Sequence, residues 1–322
     1  ATTGADNTLR LWSAASRPLP AGTQTFASGV TGVSVSPDGT LIAIGHVDGT
    51  AHLLNTLGSQ TRALPGHRGY LYTTAFSSDG ARLITAGGDS LARLWATASG
   101  QETGQLRGHS GPVTTAVFSM DGRRIATASE DGSARIWDAS TLKPLRELRG
   151  HAGKLHRVAF TPDSTRVITA GDDGTARIWD VESGRELRVL REHTGAVYAL
   201  GVTPDGKQLV TAGADRTAIV WDVATGERQA VLRGATDEIT CVSFSPDGQS
   251  VVVTSADGMA RIYRWEMYAP MDRVLALANS RVMRRPAELT GAESERFVPR
   301  SSAIGDYLRF PPVHLGWIDV GR

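Results

Sequence analysis

Short apolar runs separated by turn sequences recur along most of this chain. In the clearest stretch, an apolar run is followed by a Ser-Met-Asp-Gly turn, a second apolar run, an Asp-Gly turn and a third run that ends in Trp-Asp. Asp-Gly pairs suit the positive φ angles of tight hairpins. The pattern predicts four antiparallel strands per unit, here Val113–Phe118, Arg124–Ser129, Ser133–Trp137 and a strand near Leu145–Arg149.

The closing part of this unit, Ser129–Asp138, returns at a nearly fixed spacing of 41 or 42 residues. The position of Trp137 is aromatic in every copy but one. The seven copies end at Trp12, Leu54, Trp95, Trp137, Trp179, Trp221 and Tyr263. One such unit cannot bury its own apolar faces, so we expect the units to stack side by side and share a continuous core.

A second marker, Gly-His, precedes several units. It occurs as Gly66-His67, Gly108-His109 and Gly150-His151, with Glu192-His193 in the fourth place. Gly-His and Trp-Asp signatures with a period of about 40–45 residues are typical of WD repeats, and residues 1 to about 263 resemble that family. The resemblance implies an all-β, seven-bladed β-propeller built from four-stranded blades. The first blade is expected to be incomplete at its N-terminal side.

The repeat pattern stops after Tyr263, and helical spacing follows. Val274, Ala278 and Val282 fall on one helix face, and Thr290–Glu293 predicts a capping box for a second helix. We therefore expect a propeller over residues 1–268 and a short helical hairpin with a tail over residues 269–322. Residues 271–299 resemble the hairpin that follows propellers in large bacterial signalling proteins. Those proteins include signal-transducing NTPases and caspase-like or kinase-fused chains, which implies that further domains belong to the same polypeptide.

Four units carry His, Thr and Asp at 28, 10 and 6 residues before the Trp. These sets are His67, Thr85, Asp89 and Trp95; His109, Thr127, Asp131 and Trp137; His151, Thr169, Asp173 and Trp179; His193, Thr211, Asp215 and Trp221. Thr, His and Asp together could form a nucleophilic triad. The family resemblance implies structural hydrogen-bond tetrads instead, and four copies in one chain favour that interpretation. No catalytic residue is predicted.

Composition excludes several other classes of function. The formal charge of +1 provides no general attraction to nucleic acid or an anionic membrane. Cys241 is the one cysteine, so there is no internal disulfide, and no apolar run approaches the ~18 residues of a membrane span. We find neither a phosphate-binding GxxxxGK[ST] loop nor a metal-ligand spacing beyond the tetrads. We expect a soluble, cytoplasmic protein without metal or cofactor.

The residues just after each Gly-His, together with those before the tetrad Asp, are expected to lie on the top face of the propeller, where resembling propellers usually hold their partners. We call nine of them the rim set: Tyr70, Tyr72, Thr114, Glu130, Lys154, His156, Asp172, Tyr198 and Glu238. Rim tyrosines bury much area at a low entropy cost, which favours binding. They could equally pack into the mouth of the channel, and both interpretations remain open.

Three functions follow from these observations. The first is a sensor or recognition module that binds a protein or peptide on the top face and regulates an upstream effector domain. The second is a constitutive scaffold that assembles partners without switching. The third, an enzyme with a site in the channel, needs convergent carboxylates or histidines on the inner strands. Those strands are instead mostly apolar and hydroxyl-bearing, such as Val113–Phe118.

Overall fold

The fold is a β-propeller of six blades. A computed structural model describes residues 2–3, 7–10, 23–56 and 61–265. The blades are antiparallel sheets whose strands follow one another in chain order from the inner to the outer edge. Chain-sequential hairpins produce this order because each Asp-Gly or equivalent turn reverses the chain after a short strand.

All but the last blade have four strands. Blade 1 contains β4 (Val30–Val35), β5 (Leu41–His46), β6 (Ala51–Asn55) and β7 (Thr61–Leu64). Blade 2 contains β8 (Leu71–Phe76), β9 (Arg82–Gly87), β10 (Ala92–Ala96) and β11 (Glu102–Leu106). Blade 3 contains β12 (Val113–Phe118), β13 (Arg124–Ser129), β14 (Ser133–Asp138) and β15 (Pro144–Arg149).

The remaining three blades continue the pattern. Blade 4 contains β16 (Leu155–Phe160), β17 (Arg166–Gly171), β18 (Thr175–Asp180) and β19 (Glu186–Arg191). Blade 5 contains β20 (Val197–Val202), β21 (Gln208–Gly213), β22 (Ala218–Asp222) and β23 (Arg228–Leu232). Blade 6 contains β24 (Ile239–Phe244), β25 (Val251–Ser255) and β26 (Ala260–Tyr263).

The core lies between the blades. Ile136 and Leu148 of blade 3 pack against Leu155, Val158 and Trp179 of blade 4 in one buried cluster. Corresponding clusters fill the adjacent junctions. The repeat therefore places large apolar residues where each sheet meets the next, and most of the stability comes from these shared interfaces.

The prediction of seven blades is wrong. The segment expected to form the first blade contributes a small sheet of β1 (Thr2–Thr3), β2 (Thr8–Arg10) and β3 (Thr23–Thr25). Its strands have two or three residues, and among the described residues no inner strand completes it, so it lacks the two broad faces that a blade needs. Trp12, the expected end of that blade, lies outside the described residues.

The outer edge of blade 6 also differs from the others. Among the described residues no fourth strand covers β26, and Ile262 is 65% exposed there. The equivalent Ile136 and Ile178 are fully buried. The helical hairpin and tail predicted for residues 269–322 lie outside the described residues. The part of the chain that the structure describes contains no helix of the length and apolarity that crossing a bilayer requires.

A β-bulge recurs near the start of every inner strand. The ladder register shifts between the first and third residues of β8, β12, β16, β20 and their counterparts in blades 1 and 6. The second residue of each inner strand is thereby left out of the pairing. Bulges re-aim side chains, and these unpaired positions include Tyr72, Thr114, His156 and Tyr198.

Candidate functional site

The structure brings the four residues of each predicted tetrad together. In blade 3, His109 Nδ1 lies 2.9 Å from an Asp131 carboxylate oxygen, and its Nε2 lies 2.8 Å from Thr127 Oγ1. The indole N–H of Trp137 donates to the same Oγ1 at 2.9 Å. An ionised carboxylate only accepts, so His109 carries its proton on Nδ1 and the threonine hydroxyl donates to Nε2. Each polar side-chain group of this tetrad therefore has a hydrogen-bond partner.

Blades 2, 4 and 5 repeat this geometry. The His-to-Asp distances are 2.8 Å, 3.0 Å and 2.8 Å. The corresponding His-to-Thr distances are all 2.8 Å. In all four blades the threonine is completely buried. A hydroxyl without access to solvent or substrate is a poor nucleophile, so the geometry favours a structural role for Thr85, Thr127, Thr169 and Thr211.

The burial and hydrogen bonds of the tetrad shift the pKa values of its aspartate and histidine. Burial by itself would raise the pKa of Asp131, but hydrogen bonds from Ser133, His109 and the Ser110 amide hold that pKa down to about 2. Burial lowers the pKa of the His109 imidazole, and the neighbouring Asp131 carboxylate offsets part of that effect. The neutral histidine beside an ionised aspartate is thus the stable state near neutral pH.

Blades 1 and 6 carry other residues at the tetrad positions. Blade 1 has Phe26 and Ile44 in place of the tetrad His and Thr, and blade 6 has Ala235 and Val253. In blade 6, Tyr263 replaces the tryptophan and its hydroxyl donates to the Arg233 carbonyl at 3.1 Å. In blade 1, a pair of histidines lies beside the substituted positions. Sequence inspection missed that pair because it compared only tetrad positions.

The top face is the end of the blades that carries the loops before the inner strands and the turns between the second and third strands. At its blade 2 sector, the rings of Tyr70 and Tyr72 lie 4.8 Å apart, and Tyr70 is 43% exposed. Across the next blade junction, Glu130 and Lys154 form an ion pair of 2.6 Å. Burial and the negative charge of Glu130 raise the pKa of Tyr72.

The contacts continue around blades 4 and 5. His156 Nε2 lies 2.6 Å from an Asp172 oxygen, and the His156 ring meets the Tyr198 ring edge-on with centroids 5.0 Å apart. Burial raises the pKa of Tyr198, and the carboxylates of Glu238 and Asp172 add to that effect. Side-chain contacts therefore join Tyr70 to Tyr72, Glu130 to Lys154, and His156 to both Asp172 and Tyr198. Together with Glu238, whose charge acts on Tyr198, these residues lie on blades 2 to 6, and we call the eight of them the rim track.

Thr114 is the exception in the rim set. It is buried, and its hydroxyl donates to the carbonyls of Leu155 at 2.8 Å and Ala128 at 3.2 Å. The bond to Leu155 ties blade 3 to blade 4, whereas the bond to Ala128 lies within blade 3. Thr114 thus packs at the blade junction and is not part of the rim track.

A cleft of about 260 Å³ opens beside the rim track between blades 3 and 4. Its walls include Glu130, Arg149, Lys154 and the tetrad residue His151. It is small compared with ligand pockets of about 300–1,000 Å³, and its lining is polar. Within the described residues, no group of three or more His, Cys, Asp or Glu side chains is arranged to hold a metal ion.

Comparison with known proteins supports the repeat assignment. The family model described as WD domain, G-beta repeat matches residues 22–55, 58–96, 100–138, 142–180, 184–222 and 226–264. Each of the six matches begins with the outer strand of the preceding sheet and ends with the third strand of one of the six blades. A search of curated proteins finds no match.

Proposed function

The chain belongs to the WD-repeat family, and on this premise we propose that it is a non-catalytic module that binds a protein or peptide along the rim track. WD-repeat propellers are generally protein-interaction modules. The observation that supports this location is that the rim track places aromatic and charged side chains on five successive blades, from the exposed Tyr70 to Tyr198 and Glu238. Extended peptides need such a run of adjacent contacts.

The chemistry of the rim track favours a protein ligand over a small molecule. It alternates aromatic rings with hydrogen-bonded charges, such as the Glu130–Lys154 pair, and the cleft beside it is small and polar. Tyrosines offer large contact areas at low entropy cost, whereas exposed ion pairs add specificity more than affinity. We expect Tyr70, Tyr72 and Tyr198 to contribute most of the binding energy.

A random peptide library displayed on phage provides a defined probe. Peptides selected on the wild-type protein should bind a Tyr70→Ala/Tyr198→Ala variant at least tenfold more weakly, since truncating a binding hot spot typically costs about 2 kcal/mol. Tyr70 is exposed and Tyr198 is half-buried, and neither belongs to the apolar core between the blades, so thermal stability should change little. Met120→Ala, at an exposed position in the turn after β12, is the matched control and should bind normally. Undiminished binding by the tyrosine variant would locate recognition on another surface.

We further propose that partner binding regulates an effector domain of a longer polypeptide. The resemblance of residues 271–299 to the hairpin that follows propellers in bacterial signalling proteins supports this role. The alternative is a constitutive scaffold. A selected peptide added to the full-length polypeptide distinguishes them, because a sensor changes the activity or assembly of its effector domain whereas a scaffold does not.

A further inference from the structure

Blade 1 replaces the tetrad with a different polar arrangement. His52 occupies the strand position that is Arg93, Arg135 and Arg177 in the next three blades, two residues before the end of the repeat. In blades 2 and 4 this arginine pairs with the tetrad aspartate. His52 instead bonds to His46, at the end of the adjacent strand.

The two imidazoles are in direct hydrogen-bond contact. His46 Nε2 lies 2.9 Å from His52 Nδ1, and His46 Nδ1 lies 3.3 Å from the Ser28 carbonyl oxygen. The rings meet edge-on at 88° with centroids 4.9 Å apart, and the Phe26 ring lies 5.0 Å from that of His46. His46 is 1% exposed, while His52 is half-buried.

This geometry limits the number of protons that the pair can hold. A carbonyl oxygen only accepts, so His46 donates through Nδ1–H and accepts at Nε2 from His52 Nδ1–H. One additional proton fits on the free Nε2 of His52 without disturbing either bond. A second additional proton must go to His46 Nε2, where two N–H donors and two positive charges would then face each other at 2.9 Å.

The neighbouring residues do little to offset the repulsion between two charged imidazoles. Asp48, on the turn between β5 and β6, is the described carboxylate near both rings. It raises the pKa of His52, but burial and the charge of His46 lower that pKa by more, and the charge of His46 also lowers the pKa of Asp48. The Asp48 carboxylate is already bonded to the Thr50 amide and hydroxyl. Val30 on β4 and Ala63 on β7 lie opposite His46 and His52 in the sheet and carry no charge.

We propose that the His46–His52 pair is a proton-sensitive latch, which holds blade 1 closed while the two rings share at most one additional proton and releases β5 and β6 when both become charged. Opening separates the rings, so the open state binds at least one more proton than the closed state. Mild acidification therefore favours local opening of blade 1. The latch is independent of the binding function proposed above.

Hydrogen exchange of the amides in β5 and β6 tests the latch. Because opening takes up one proton, the protection factors of the wild-type protein should fall by up to about tenfold per pH unit as pH decreases below about 6.5. His52→Gln is the matched variant, since its side-chain amide cannot become charged and can either donate to the neutral His46 Nε2 or turn over and accept from a protonated Nε2–H, so His46 can gain a proton without opening. Its protection in the same strands should be nearly independent of pH. Parallel pH profiles for the two proteins would overturn the proposal.

Nitrogen NMR of the wild-type imidazoles gives a second test that does not depend on the variant folding. At neutral pH, His46 and His52 should both carry their proton on Nδ1. A folded protein at pH 5 with both rings doubly protonated and blade 1 still protected would also overturn the latch. Loss of blade 1 protection together with double protonation would support it.

Discussion

Replacing Thr127 with valine should destabilise the propeller far more than its small change in shape suggests. Valine has nearly the same volume as threonine, so no cavity forms. The hydroxyl, however, is completely buried, accepts from the Trp137 indole and donates to His109 Nε2. The substitution leaves the indole N–H and the imidazole nitrogen buried between strands without partners.

The magnitude follows from those two groups. A buried polar group that loses its partner costs about 1–3 kcal/mol, so the two together should reduce the free energy of unfolding by about 3–4 kcal/mol. Adding Trp137→Phe removes the orphaned indole donor. The double variant should therefore be more stable than the sum of the two single effects by about 1–2 kcal/mol.

Urea denaturation of the wild type, the two single variants and the double variant measures this coupling. Thr225→Val is the control, because Thr225 is exposed and its hydroxyl bonds only within its own turn, donating to Asp222 and accepting from the Glu227 amide. Its effect should stay within about 0.5 kcal/mol, as for most surface substitutions. A loss below 1 kcal/mol for Thr127→Val, or strictly additive effects in the cycle, would refute the structural reading of the tetrads.

Two further predictions concern acid stability and a close backbone contact. The folded-state pKa of Asp131, about 2, is depressed below the ordinary value of 3.8. Its contribution of about 2 kcal/mol is thus present above pH 4 and lost as pH falls towards 2. Urea midpoints of Asp131→Asn should be lower than wild type at pH 6 and fall less steeply below pH 4, whereas Glu182→Gln, at an exposed site, should keep the wild-type slope. Gly213→Ala would place a Cβ 1.9 Å from the Ala196 carbonyl oxygen, so overpacking should lower stability by about 1–3 kcal/mol. Gly32→Ala, whose Cβ would lie 3.5 Å from the nearest atom, should be nearly neutral in thermal unfolding, and equal effects at both positions would contradict this reasoning.

The rim set shows how far reasoning from sequence could reach. Register relative to each tetrad histidine placed Tyr70 and Lys154 at one equivalent position and Tyr72 and Tyr198 at another, because the repeat makes their positions comparable. Contacts between different blades were not readable in this way. The edge-on contact of His156 with Tyr198 and the burial of Thr114 depend on the bulge and on how closely adjacent inner strands approach.

The amino-acid sequence by itself determined the repeat, its four-stranded unit and the membership of each tetrad. Those features are local or strictly periodic, so apolar spacing, turn chemistry and a 42-residue step suffice to define them. Only the tertiary structure decided the number of blades, which is six, and showed that the first copy forms a small sheet. It also paired His46 with His52. Both outcomes depend on packing between segments that are distant in the repeat pattern. Where a blade lacks the usual tetrad residue, the periodic pattern does not specify which side chain forms the contact instead.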